Sequence, residues 1–81
     1  MRATVLVRPK EGILDPQGEA VESSLLQLGF PVSEARVGRV IDLEVSVDSP
    51  AAARAEIERM CERLLANPLI ESFEIELAEG S

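Results

Sequence analysis

An 81-residue chain with a formal net charge of −7 has room for one domain, residues 1–81, and a domain this small buries only about 60% of the surface its unfolded chain exposes. Its hydrophobic content of 46% with two aromatics, Phe30 and Phe73, describes an aliphatic core. The acidic balance excludes nucleic acid or an anionic membrane as a partner held by a general field. One cysteine, Cys61, and no histidine exclude an intrachain disulfide, a Cys/His zinc site and any triad that needs His. No run approaches the ~18 apolar residues of a membrane span, and the first residues enter a strand pattern instead of a signal-peptide core, so a cytoplasmic protein is expected.

Residues 2–8 alternate, with Ala3, Val5 and Val7 on one face and Arg2, Thr4, Leu6 and Arg8 on the other, the pattern of a central strand with one wetter side. Residues 8–18 follow as a charged connection that is longer than closure requires. It ends in Asp15-Pro16, where the carboxylate is suited to cap first-turn amides and proline to occupy the first helical position. From Pro16 to about Leu28 a helix is expected, its inner face being Val21, Leu25 and Leu28 with Gly18 one turn before. Leu26 points outward with Glu19 and Glu22. Gly29 ends this helix and Phe30-Pro31 closes the turn.

Residues 32–37 read as a short mixed strand, Gly38-Arg39 as a turn, and residues 40–48 as the clearest strand, together a β-hairpin. In the latter strand Ile41, Leu43, Val45 and Val47 face inward against Asp42, Glu44, Ser46 and Asp48. Ser49-Pro50 repeats the cap-then-proline signal and opens a second helix to about Ala66, with Ala53, Ile57, Met60, Cys61 and Leu64 as its stripe. Cys61 therefore reads as core, with no basic neighbour on its face to make it reactive. Asn67-Pro68 breaks the helix, and residues 69–77 form the last strand, where Leu69, Phe73, Ile75 and Leu77 share a face with Glu71. Glu71 must lie at the rim or be paired. Residues 78–81 read as a frayed tail.

The order β-α-β-β-α-β predicts an α+β, ferredoxin-like sandwich: a four-stranded antiparallel sheet with both helices on one face and the first strand central. Arg2 and Arg8 would then sit between Asp42 and Glu44 on one side and Glu74 and Glu76 on the other. The glycines around Asp15-Pro16 make neither a phosphate loop nor a dinucleotide fingerprint. Outward carboxylates read as solvated charge. Without His, Tyr, an activated Cys or a metal cluster, catalysis by this chain alone is not expected, and no catalytic, cofactor-binding or metal-binding residue is assigned. A binding or scaffolding role suits the fold better. Two such roles stand side by side: an assembly subunit, and a small dimeric regulatory module that binds a ligand.

Three stretches carry a family resemblance. They are residues 8–18 (Arg-Pro-Lys-Glu-Gly-Ile-Leu-Asp-Pro-Gln-Gly), Val37-Gly38-Arg39, and residues 64–71 (Leu-Leu-Ala-Asn-Pro-Leu-Ile-Glu). In this order and spacing the whole chain resembles the PurS family, the small subunit of the multi-chain phosphoribosylformylglycinamidine (FGAM) synthase of purine biosynthesis. At Arg39 the family usually shows Lys, and at Phe73 often Tyr. The resemblance implies a non-catalytic subunit of an ATP- and glutamine-dependent ligase. Its large synthetase partner uses ATP and Mg, its glutaminase partner releases ammonia, and the small subunit assembles them as a homodimer that can pair further. It also places Arg8, Lys10, Asp15, Arg39, Asn67 and Glu71 at motif positions, where each can touch a partner or hold a loop. Asp15 with Pro16 reads first as a helix cap and Asn67 as a helix terminator. Arg8, Lys10 and Arg39, with Asn67 and Glu71, are the candidates for partner docking.

Overall fold

Alternation in the first strand is realised directly. In the computed structural model, which describes residues 1–78, β1 (Arg2–Pro9) buries Ala3, Val5 and Val7 and turns Arg2 and Arg8 outward. Helix α1 (Pro16–Gln27), β2 (Arg39–Glu44), α2 (Pro50–Met60), a π-helical turn (Cys61–Leu65) and β3 (Glu71–Leu77) follow. The sheet is antiparallel with the order β2-β1-β3. The first strand is central, as expected. On the helix-bearing face Val5 stands between Ile41 and Ile75, and Val7 between Arg39 and Phe73. Ile57 from α2 and Cys61 from the π-helical turn pack with them in a core of small and branched side chains, and Ala53 of α2 is fully buried as well. On the open face Arg2 stands opposite Glu44 and Thr4 between Asp42 and Glu76. Arg8 reaches diagonally to Glu74.

Both helices start at the residues that signal a start. Asp15 accepts the Gly18 amide at 3.1 Å and Ser49 Oγ the Ala52 amide at 3.1 Å, with a proline following each cap. Helix α1 ends with the Gly29 amide on the Leu26 carbonyl and the Phe30 amide on the Leu25 carbonyl. Gly29 takes φ +92°, the left-handed backbone of a Schellman close.

Four expectations are corrected. Among the described residues the sheet has three strands, not four: residues 32–37 run as irregular chain, so neither the fourth strand nor the hairpin forms. Ser33, Glu34 and Ala35 favour pleated structure poorly. The Val37 amide, which a ladder would need, goes to the Asp15 carboxylate instead, at 2.9 Å. Second, α2 is the helix that packs on the sheet; α1 does not pack on it to a comparable extent, and Gly18 is its one buried residue. Third, the second helix widens at Cys61, where the Ala66 amide bonds the Cys61 carbonyl five residues back at 3.0 Å. A π turn advances each residue through a smaller angle than an α turn. Leu65 therefore packs against the core while Leu64, expected inside, is 82% exposed. The last strand also starts later than expected, at Glu71, with Leu69 in the preceding turn. Of the tail expected to fray, Ala78 is tied to β1, its amide on the Arg2 carbonyl at 3.0 Å, and residues 79–81 lie outside the described residues.

Candidate functional site

Arg39 opens β2 on the helix-bearing face, opposite Val7, and its guanidinium projects past the sheet's end. There Nη1 donates to Glu71 Oε2 at 2.8 Å and Nη2 to Glu71 Oε1 at 3.1 Å, a two-pronged pair. Nη2 also donates to the Leu65 carbonyl at 2.5 Å, an acceptor freed where the helix ends. Glu71 Oε1 accepts in addition from the Asn67 amide at 2.7 Å. Glu71, an apparent misfit on an apolar face, is therefore paired. The Arg39 hydrogen bond, seconded by the Asn67 amide, holds its carboxyl below the usual carboxylate range, and the same contact raises Arg39. A lysine at position 39 would keep the charge and lose the fork.

Asn67 folds the next turn on itself. Its Oδ1 accepts the Leu69 amide at 3.1 Å, and its carbonyl accepts the amides of Ile70 and Glu71 at 3.1 and 2.7 Å. Lys10 anchors the turn from the opposite side, Nζ to the Pro68 carbonyl at 2.7 Å and its own amide to the Ile70 carbonyl at 2.9 Å. Arg8 differs from these two cations. It pairs with Glu74 at 3.0 Å, both side chains are more than half exposed, and such a pair holds weakly and exchanges readily.

The Asp15 carboxylate has two roles. One oxygen caps Gly18, while the other receives the Val37 amide across 22 positions of sequence, and these two bonds draw its pKa below the ordinary value. Two glycines let the strands of this knot approach. A Cβ on Gly18 would fall on the Asp15 carboxylate and on the Ala35 carbonyl at 2.5 Å, and one on Gly38 would fall on the Val7 carbonyl. The three sequence signatures thus meet at one end of the sheet, around a depression of about 240 Å³ lined by Pro9, Leu14, Asp15, Arg39, Ile70 and Glu71. Ile13, Leu14, Leu69 and Ile70 stand exposed about it. Position by position, Lys10, Arg39, Asn67 and Glu71 gather into one clamp, Asp15 lies beside it, and Arg8 faces the other side of the sheet. What the sequence left unmarked are the backbone acceptors, Leu65 and Pro68, and the reach of Asp15 to Val37; a carbonyl carries no residue signature.

The arrangement fixes loops and offers no activated group. Cys61 is fully buried, and burial with Glu58 and Glu62 nearby pushes its thiol pKa up. No group of three or more His, Cys, Asp or Glu suited to a metal occurs among the described residues. No helix among them is long and apolar enough to cross a membrane.

Residues 2–79 match the family model of PurS, phosphoribosylformylglycinamidine (FGAM) synthase. A phosphoribosylformylglycinamidine synthase subunit PurS of Synechocystis is 43% identical over 83 residues, covering 99% of this chain and 81% of that one. Among solved structures, PurS of Bacillus subtilis superposes with a TM-score of 0.85 at 35% identity, covering 96% and 98% of the two chains. A chain in the structure of PurLQS from Thermotoga maritima gives a TM-score of 0.85 at 33% identity, covering 93% of each. A matching model over nearly every residue, identities above one third and a shared fold place the three converging signatures in one lineage: the chain belongs to the PurS family, a subunit of FGAM synthase.

Proposed function

We propose that this chain is the assembly subunit of FGAM synthase in purine biosynthesis, a cytoplasmic homodimer that bridges a glutaminase and a synthetase so that ammonia passes between them. ATP and Mg belong to the synthetase, and this chain supplies shape. The observation that carries the reading is the clamp of Lys10, Arg39, Asn67 and Glu71: four polar side chains spend their hydrogen bonds on fixing one exposed, partly apolar loop end. A surface held this rigidly costs little ordering entropy when a partner docks. The likeness to a chain within the Thermotoga PurLQS structure supports the same partners. Lys10, Arg39, Asn67 and Glu71 keep the loop end in shape for docking, and Arg8, whose exposed pair with Glu74 exchanges readily, is the cation available to turn to a partner.

Three purified subunits test it. Omitting this chain is expected to abolish most of the glutamine-dependent rate and to spare ammonia release from glutamine by the glutaminase alone. An intact glutamine-dependent rate without this chain would refute the proposal.

A further inference from the structure

The open face of the sheet ends in a patch that the clamp does not use. Leu6 of β1 and Val40 of β2 are directly paired there, Leu6 half-buried and Val40 61% exposed. With Pro9 and three arginines, Arg8, Arg36 and Arg39, they line a depression of about 490 Å³. The chain has 15 acidic residues against 8 basic ones, yet three of those eight line this depression and no carboxylate does. The three guanidiniums differ in what they are free to do. Arg39 is committed to Glu71 and the Leu65 carbonyl. Arg8 holds Glu74 in a solvent-exposed pair that exchanges readily. The Arg36 side chain makes no hydrogen bond or ion pair among the described residues; its charge is felt by Asp15, whose two oxygens are already taken by the Gly18 and Val37 amides.

We propose that this patch docks an acidic segment of a partner subunit, whose carboxylates meet Arg8 and Arg36 while a neighbouring apolar side chain covers Leu6 and Val40. The inference rests on the assembly role proposed above and gives it a surface and a chemistry. Arginine suits the task because its planar fork holds a carboxylate by two parallel bonds. In the free chain Glu74 stands where the incoming carboxylate would bind Arg8, so the chain's own acid competes with the partner's. The patch is also continuous with the clamp. Pro9, Gly38 and Arg39 line both this depression and the smaller one beside Asp15, so a partner seated on the fixed loop end has Leu6 and Val40 next to it.

Other occupants fit less well. Ligand pockets bury about 70–90% of a small molecule's surface, and a depression whose wall includes Val40 at 61% exposure is too open to do so. A nucleic acid would meet a chain of net charge −7. A second copy joined through this patch on a two-fold axis would set its arginines against their own images, like charge against like.

Binding of the full-length chain to the purified synthetase and glutaminase subunits tests this. Arg8→Gln and Arg36→Gln together are expected to weaken binding to one of the two subunits by about tenfold at low salt and to flatten its salt dependence. Arg2→Gln, at the opposite end of β1, is expected to stay within about twofold of wild type. Glu74→Gln is the distinguishing variant: freeing Arg8 is expected to tighten the same contact by about threefold, whereas a merely structural ion pair would not improve binding when broken. Unchanged affinity in the double variant, or no gain in Glu74→Gln, would overturn the docking patch and leave the assembly role standing. A wild-type chain that binds neither subunit would refute the assembly role and this inference with it. Inorganic phosphate probes the rival occupant. Amide shifts of Leu6, Gly38 and Val40 that saturate below about 1 mM phosphate would make the patch a small-anion site instead.

Discussion

Arg39 and Glu71 show how one residue type is chosen over its nearest substitute. The fork on Arg39 meets both carboxylate oxygens while its second nitrogen still reaches the Leu65 carbonyl, a task that needs several donors in a plane. Glu71 is only 18% exposed, and Arg39 about half, so solvent screens the pair in part. Glu71→Gln is expected to cost about 1–2 kcal/mol in urea denaturation. The pH dependence has a definite sign. The folded state lowers the Glu71 pKa from its ordinary 4.5, so its contribution is complete above that value and lost as pH falls through the lowered one. The difference between wild type and Glu71→Gln is therefore expected to close on acidification below about pH 4.5. A gap that persists unchanged at pH 3 would contradict it.

At the scale of elements, the helix starts were written in Asp15-Pro16 and Ser49-Pro50, and the alternation of β1 and β2 was equally plain, because caps and two-residue periods depend on neighbours in sequence. Leu64 was misplaced because the stripe of α2 was extended with an α-helical period through a turn that is π. That turn has its own prediction. The bond from the Ala66 amide to the Cys61 carbonyl would be an ordinary α-helical bond if one residue between them were absent. Deleting Glu62, which is exposed, is expected to leave a continuous α-helix with Ala66 and the Arg39 clamp in place, and with the melting temperature within about 5 °C of wild type, a shift of order 1 kcal/mol. Collapse of the fold would show that the wide turn is required for more than its length.

On the scale of the whole molecule, the central place of β1 and the α2 side of the core were legible, while the fourth strand and the position of α1 were not. A hydrophobic stripe states that a face is to be buried and says nothing about which chain buries it. Residues 32–37 were read as a strand from their own composition, whereas their course is decided by Asp15, which takes the Val37 amide from 22 positions away. Cys61 gives the finished molecule a built-in clock. As the one thiol, at the bottom of the core, it can meet a water-soluble reagent only when α2 lifts from the sheet. Its labelling rate thus counts openings that leave no other trace. If dimerisation stabilises the closed state, mass action requires the labelling rate to fall as protein concentration rises. A rate independent of concentration from nanomolar to micromolar would mean that the core opens without consulting a partner.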